Sequence, residues 1–569
     1  MKAGALVLPR RCHREAPTGT ATCAALSPGR AMPPPDLEPV RKASAAYAKA
    51  DAFKPSYGTG GFRSEASQLD STLFRCGVVA AVRCLATGGT TGLMVTASHN
   101  PAPDNGVKLV EPSGAMLPMD MEPWATRLAC ADGDDALVDE VAAMCSALGV
   151  SAAPGRVIIG HDTRDSSERL TRAAAAGVAA MGLHADVRGL CTTPQLHFYT
   201  AAANAGESEA EEHYVSTLVG GFTDAVAGTE PPGGVAELVV DAANGVGGAK
   251  LRAMADVLAL AGLAIEVRND GAPPGVLNHL VGADFVQKER ALPQGFSAAT
   301  DAGKRCATID GDADRCVFFV PAAPGGPTAM QLFDGDRIAA LAAGYVASLT
   351  ALEPTTLGGL TMGVVQTAYA NGASTAYLRA QGVEVVVTPT GVKHLHAAAH
   401  KYDVGVYFEA NGHGTVLFSG RAKEAIRGAE AQGSVAGRKL GAFLRMVNQT
   451  VGDAVSVILL CEAVLRCKGW TMADWAAMYA DLPSRQLKVK VQDRTVVTTA
   501  NAETTCVTPA GVQQEIDAAV AAVPSGRAFV RPSGTEDVVR VYAEAKTQEA
   551  ADALADAVAE IVRRLVGGV

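Results

Sequence analysis

Short runs of Val, Ile, Leu and Phe alternate along the chain with longer alanine-rich stretches. The runs at 92–96, 156–160, 237–241, 305–309, 316–320, 383–388, 405–408 and 528–530 are almost unbroken in apolar character and end in Gly, Asn, Asp or Ser. Strands buried on both faces read this way, because neither face needs polar residues. The stretches 169–181 and 337–352 have helical periodicity. Such alternation predicts α/β domains with mainly parallel sheets. A helix is also expected over 39–52, after the extended Pro33-Pro34-Pro35 lead-in. The pattern changes towards the end of the chain. A strand at 486–493, a helix at 512–523, a strand pair around Pro532 and a final helix predict a smaller unit. That last helix places Leu554, Val558, Ile561, Val562 and Leu565 on one face. Glu549 and Asp552 open it, and Arg563, Arg564 and Gly567 close it, as the helix dipole favours.

The chain has 569 residues, enough for about three to five domains. Breaks are expected in the acidic, Gly-rich segment 201–234, read as an insertion or linker, at Pro321–Pro327, and around 468–487. They divide the chain into an extension at 1–40, expected to be disordered, and units at 41–200, 201–325, 326–470 and 471–569. The first 31 residues carry five basic residues and one acid, with no apolar signal-peptide core. An unstructured extension, or a true start at Met32, is favoured over an organellar transit segment.

Composition excludes several classes. Hydrophobic residues make 48% and charged residues 19%, so the chain is not disordered as a whole. A net charge of −10 argues against nucleic acid as a partner. The longest nearly uncharged apolar run, 338–352, is too short to cross a bilayer and is interrupted by Gly344. Twelve cysteines without a CxxC pair or zinc-type spacing read as reduced thiols in a cytoplasmic setting. No obligate protein partner is evident.

Four segments carry candidate chemistry. Thr96-Ala97-Ser98-His99-Asn100-Pro101 follows a strand, so Ser98 is expected at an exposed edge with backbone N–H groups free to face an anion. His99 could transfer a proton or orient the loop, and Lys108, ten residues on, could return a positive charge to the same mouth. Asp310-Gly311-Asp312-Ala313-Asp314-Arg315 lies between two strands. Three alternating carboxylates suit a hard cation, and Mg²⁺ fits better than Ca²⁺ because only three protein ligands are offered. Arg315 could hold a phosphate there. An EF-hand is excluded, since Arg315 and Pro321 stand where glycine and glutamate are required. Glu409, Asn411 and His413 sit on a Gly-rich loop after a strand, where Glu409 and Asn411 can bind vicinal sugar hydroxyls. Arg531-Pro532-Ser533-Gly534-Thr535, with Arg540 beyond, offers an arginine, two hydroxyls and a closely approachable backbone to an anion.

Weaker signals remain. The Gly-rich loop ending in Arg63 lacks nucleotide-binding spacing. Thr390, Gly391 and Lys393 could reach a substrate. His394, His396 and His400 are not spaced for one helical face, so they are not read as a metal site. Asp162 to Ser166 reads most simply as a helix cap.

These motifs occur together and in order with TTPQLHF, NHLVGADFV, GVVQTAYANG, TGVKHLH, FEANGHGT and RPSGTEDVVRVYAEA. In this respect residues 40–569 resemble the α-D-phosphohexomutase superfamily. The resemblance implies three related mixed α/β-sheet domains plus a smaller C-terminal α+β domain around a central cleft. In order, these are a phosphoserine, a metal-binding, a sugar-binding and a phosphate-binding domain. It implies that Ser98 carries a phosphate, that Asp310, Asp312 and Asp314 bind Mg²⁺ with it, and that Glu409 and Asn411 hold sugar hydroxyls. The loop from Arg531 to Thr535 would hold the non-reacting phosphate. Arg63, His99 and Lys108 match active-site positions. The implied reaction interconverts N-acetylglucosamine 6-phosphate and 1-phosphate through a 1,6-bisphosphate, which also serves as primer. That reaction would supply UDP-N-acetylglucosamine synthesis. Glucose- or mannose-phosphate mutases are the near alternatives, and a Mg²⁺-dependent sugar phosphatase using Asp310 is a more distant one.

Overall fold

The computed structural model describes residues 33–50, 52–231, 236–272, 275–326, 328–533 and 537–568; most of the N-terminal extension lies outside them. Four sheet-centred units follow one another. The first sheet has the strand order Phe62–Glu65, Asp104–Val110, Thr91–Val95, Arg156–His161, His184–Leu190. The second runs Met330–Phe333, Cys316–Pro321, Cys306–Ile309, Ala236–Asp241, Leu263–Arg268, and the third Glu384–Thr388, Met362–Thr367, Val404–Phe408, Gly414–Phe418. The fourth unit has three antiparallel strands, Ser484–Lys490, Val538–Glu544 and Arg527–Pro532, and a separate hairpin of Thr498–Ala500 with Thr505–Thr508.

The first three sheets share a plan that the apolar runs alone did not disclose. Each is mixed rather than parallel throughout. In each, a buried strand with a parallel neighbour is followed by a tight loop and an antiparallel return strand: Val95 stands opposite Val107, Ile309 opposite Cys316, and Phe408 opposite Gly414. The three loops so formed hold Ser98, the aspartate triad and Glu409. Ligands of open α/β sheets collect at the carboxyl ends of the strands, and these loops lie there.

Two expected breaks take a different form. The acidic segment 201–234 holds the helix Glu211–Val226, which buries Tyr214, Leu218, Val219 and Phe222. Spacing of three and four gives that buried stripe, and full burial of each large apolar side chain is worth about 1.5–3 kcal/mol. Gly221 lets the helix meet Val435–Met446 closely, since a Cβ there would lie 2.6 Å from the Met446 nitrogen. The acids Glu211 and Glu212 occupy the first turn, where the helix dipole favours them. Residues 211–226 of it are a structural helix, not a linker. The break after Pro321 is a turn within one sheet, because Cys316–Pro321 pairs antiparallel with Met330–Phe333. The helix expected over 39–52 is shorter, Glu38–Ser44 with a 3₁₀ turn to Tyr47.

One continuous apolar core joins the first three units, with Met94, Ile158, Phe222, Phe318, Val364, Phe443 and Trp475 among its members. The fourth unit has its own core, built on Ile516, Val530, Val541, Leu554 and Val558. It leans on the third unit through a small aromatic cluster of Tyr369, Phe529 and Tyr542, and through Arg527, which donates to the Ala368 and Ala370 carbonyls at 2.8 and 2.6 Å. Among the described residues no helix is long and apolar enough to cross a membrane.

Candidate active site

The serine loop is built around a strained residue. Ser98 has φ 50°, in the left-handed region, and is fully buried. Its N–H donates to Thr96 Oγ1 at 2.9 Å, and Thr96 Oγ1 donates to Asp162 at 2.8 Å. Arg164, a buried guanidinium, does the rest. Its Nη1 donates to the carbonyls of Pro101 and Asp104 at 2.6 and 2.7 Å, and its Nη2 to those of Ser98 and Asn100 at 3.0 and 2.9 Å. Its Nε pairs with Asp162 at 3.0 Å. Asn278 donates to the same Ser98 and Asn100 carbonyls from the second unit, at 2.8 and 3.1 Å. The segment at 162–166 is therefore an anchor for the serine loop, not a simple helix cap: Ser166 makes no side-chain cap bond to the helix Ser167–Ala180.

Arg164→Met should free the Pro101 and Asp104 carbonyls, leave those of Ser98 and Asn100 to Asn278 alone, and strip the buried Asp162 carboxylate of its charged partner. The expected cost is about 3–5 kcal/mol of stability. Turnover should fall at least about a hundredfold, because small misplacements of a reacting group are costly. Urea unfolding and steady-state assay of the same preparation measure both.

The aspartates come from the second unit. Asp310 Oδ1 accepts the Asp314 and Arg315 backbone N–H groups at 3.0 and 3.2 Å, which curls the loop, and Ala313 takes φ 58° to close it. Asp312 Oδ2 gathers three donors: Ser98 Oγ at 3.0 Å, Lys108 Nζ at 2.8 Å and Thr193 Oγ1 at 2.6 Å. Lys108 also donates to Asp314 Oδ2 at 2.6 Å. The remaining oxygens, Asp310 Oδ2, Asp312 Oδ1 and Asp314 Oδ1, are buried and accept no hydrogen bond. One ligand oxygen from each of the three aspartates can be chosen so that all lie within 4.8 Å of one another. Buried carboxylate oxygens without a hydrogen bond are costly, and three of them converging, all hard donors, fit a divalent cation such as Mg²⁺. Among the described residues this is the one cluster of its kind. His396 and His400 instead pair with each other, Nε2 to Nε2, at 2.9 Å.

The charges around the triad are strongly perturbed. Burial, then the charges of Asp314 and Asp312, pushes the Asp310 carboxyl well above the usual range. Burial opposes ionisation of Asp314 too, but Lys108 and His413 hold it well below that range. Burial pulls against the Lys108 ammonium, yet Asp312 and Asp314 keep it more basic than a free lysine. His99 is different: burial and then Arg315 lower it to about 2, so its ring is neutral. Its Nδ1 faces Arg63 Nη1 at 3.5 Å, while Arg63 Nη2 donates to Ser98 Oγ at 3.3 Å. Arg315 forms an ion pair with Asp284.

The other candidates line a cavity of about 340 Å³ that Arg63, His99, Lys108, Asp314 and Arg315 also border. Glu409, Asn411, Thr390, Gly391, Lys393, His413 and Arg531 face it. Glu409 and Asn411 stand on the loop between Val404–Phe408 and Gly414–Phe418, and the Glu409 carboxylate has no hydrogen-bond partner among the described residues. Gly412 at φ 81° is required there, since a Cβ would overlap the Cys316 carbonyl at 1.7 Å. His413 turns inward and its Nδ1 meets the Asp314 carbonyl at 2.9 Å. Lys393 is paired with Glu122. A second cavity of about 820 Å³ adjoins the first and is bordered by Arg531 and Arg540. Ser533 is buried beside them, and Gly534 and Thr535 lie outside the described residues. Thr193, Arg164, Asn278 and Asp284 join the site without having been singled out individually. Thr193 sits within TTPQLHF, and Asn278 and Asp284 within NHLVGADFV.

Comparison with known proteins follows the same division. Residues 204–317 and 334–470 match the families described as phosphoacetylglucosamine mutase AMG1, domain II and domain III. Residues 73–131 and 134–208 match phosphoglucomutase/phosphomannomutase alpha/beta/alpha domain I, and residues 487–561 match its C-terminal domain. A phosphoacetylglucosamine mutase of Arabidopsis thaliana is 45% identical over 551 residues, spanning 93% of this chain and 98% of the relative. The structure of Aspergillus fumigatus N-acetylphosphoglucosamine mutase in complex with GlcNAc-6P and magnesium superposes with a TM-score of 0.85 at 40% identity, over 93% of this chain and 99% of that one. A serine-to-alanine variant of the Aspergillus fumigatus protein in complex with glucose 1,6-bisphosphate gives the same TM-score of 0.85 and 40% identity, over 93% and 99%.

Proposed function

The chain belongs to the phosphoacetylglucosamine mutase family of α-D-phosphohexomutases, and from that premise we propose how its residues divide the reaction. The enzyme interconverts N-acetylglucosamine 6-phosphate and N-acetylglucosamine 1-phosphate, an isomerisation that supplies UDP-N-acetylglucosamine synthesis. In this reading Ser98 Oγ is the phosphate carrier. The O1–P bond of the sugar forms as the phospho-Ser98 Oγ–P bond breaks, the O1 hydroxyl proton passing in net to the released serine oxygen; the 1,6-bisphosphate then turns round in the cleft, and its 6-phosphate goes to Ser98 by the reverse exchange. The observation that carries the reading is the bond from Ser98 Oγ to Asp312, inside a triad with three buried carboxylate oxygens that accept no hydrogen bond.

Asp310, Asp312 and Asp314 would hold Mg²⁺, which when bound neutralises the triad and draws charge from phosphoryl oxygens. Arg63 donates to the serine oxygen and can follow the charge that develops there. Lys108 and Ser98 both donate to Asp312 Oδ2, so the ammonium stands two hydrogen bonds from the reacting oxygen, through a shared acceptor, where its charge favours that oxygen as it is released. His99, neutral and facing Arg63, orients that guanidinium rather than acting as an acid. Glu409 and Asn411 hold sugar hydroxyls, and Arg531, Ser533 and Arg540 hold the idle phosphate, with Thr390 and Arg315 at the cleft wall. The position of Arg531, Ser533 and Arg540 on a unit with its own core suits a cleft that opens for the turn and closes against water. A reducing, cytoplasmic setting agrees with the ten described cysteines, all free thiols.

A coupled assay primed with a trace of glucose 1,6-bisphosphate tests the function. N-acetylglucosamine 6-phosphate should give the 1-phosphate with kcat/KM at least about tenfold above glucose and mannose phosphates, a difference of one well-placed polar contact. Release of inorganic phosphate in place of isomerisation would point to the phosphatase instead.

A further inference from the structure

Glu503 lies at the turn between strands Thr498–Ala500 and Thr505–Thr508 of the fourth unit. Its Oε1 accepts Arg531 Nε at 3.0 Å, and its Oε2 accepts the Thr390 backbone N–H at 2.9 Å and Thr390 Oγ1 at 2.6 Å. One carboxylate thus ties the third unit to the fourth across the mouth of the cleft. Asn501, Ala502 and Glu503 take φ values of 50°, 55° and 67°. Three successive residues in the left-handed region are sterically unfavourable for Ala and Glu, and the turn they make delivers the carboxylate to those donors. Glu503 and Arg531 are both only 19% exposed, so the pair is shielded rather than a loose surface contact.

A carboxylate and a phosphate present the same kind of oxygen acceptors to the same charged and neutral donors. The donors that Glu503 occupies are those assigned above to the sugar phosphate and the cleft wall. We propose that Glu503 determines the affinity of the phosphate subsite as a resident competitor: it holds Arg531 and Thr390 in the sugar-free cleft and yields them when a sugar phosphate enters. The proposal rests on the reading of Arg531 and Thr390 as substrate donors. It answers a difficulty specific to this reaction. The subsite must bind the idle phosphate, then let the same molecule go so that it can turn. Shielded donors stripped of any partner would make that release slow. A carboxylate already in reach takes the donors back as the phosphate leaves, so they exchange one anion for another.

Isothermal titration of N-acetylglucosamine 6-phosphate into wild type, Glu503→Gln and Arg531→Gln is the test. With the competitor's charge removed, Glu503→Gln should bind the sugar phosphate about five- to twentyfold more tightly, as expected for loss of a charge-assisted contact from the free state. Affinity for unphosphorylated N-acetylglucosamine should be unchanged. In the primed assay both KM and kcat should fall, because the bisphosphate leaves the subsite more slowly. Glu503→Asp, one carbon shorter, should give a smaller gain of the same sign. Unchanged or weaker binding of the 6-phosphate by Glu503→Gln and Glu503→Asp overturns the proposal. Arg531→Gln should lose affinity at least about tenfold. If it loses none, the assignment of Arg531 to the phosphate is what fails.

Discussion

Ser98→Ala should lower mutase turnover by a factor of about 10⁴ or more, the loss typical of deleting a covalent carrier, with the fold intact. The change removes one oxygen from a fully buried position. Asp312 Oδ2 keeps Lys108 and Thr193 as donors, and Arg63 keeps its contact with the His99 ring. The stability cost should therefore stay near about 1 kcal/mol, the net worth of an ordinary hydrogen bond. Arg164 and Asn278 hold the loop by its carbonyl groups, which the substitution does not touch. The coupled assay and a thermal melt on the same protein measure both quantities, and incubation with ³²P-labelled bisphosphate should label wild type alone. Turnover within tenfold of wild type, or equal labelling of the variant, would remove Ser98 from the mechanism.

Stripping divalent cations with EDTA should lower turnover at least about a thousandfold, and Mg²⁺ should restore it in wild type but not in Asp312→Asn. The triad makes a second expectation of opposite sign for stability. Asp310 has its carboxyl raised by burial first, then by Asp314 and Asp312, so its charged form is disfavoured in the fold relative to the unfolded chain. A group raised in this way supports folding below its unfolded pKa, near the ordinary carboxylate value. That support is lost as pH rises through the folded value. At neutral pH the metal-free protein thus carries an energetic cost at Asp310, either of the buried charge or of taking up a proton. Asp310→Asn removes it, and should raise the melting temperature of the metal-free protein while abolishing activity. A lower metal-free melting temperature for Asp310→Asn would mean that the three carboxylates do not repel as their burial implies.

Much of the site was legible because its residues lie in short contiguous loops whose flanking strands are themselves legible. The apolar runs around Ser98, the aspartates and Glu409 correspond to buried strands, so the loops had to stand at strand ends, but Ser98, expected exposed there, is fully buried because the second unit packs over it. Spacing was less informative where contacts are long-range. Arg164 sits 66 residues from the Ser98 carbonyl it holds, and Asn278 sits 180 residues away. Nothing local marks either as part of the serine loop. The acidic entrance to Glu211–Val226 concealed a buried stripe, since charge at a helix start looks the same as charge in a linker.

The linear chain determined the α/β alternation and the four chemical loops with their order, while the kind of reaction came from their resemblance to a known superfamily. Local pattern suffices for these because strand burial, turn residues and clustered carboxylates act over a few neighbours. Only the tertiary packing decided that Ser98 meets Asp312, that His99 is buried neutral while Lys108 stays charged, and that Glu503 reaches Thr390. Each of those depends on which units share a core and on how far water is excluded between them, and no window of sequence contains both partners.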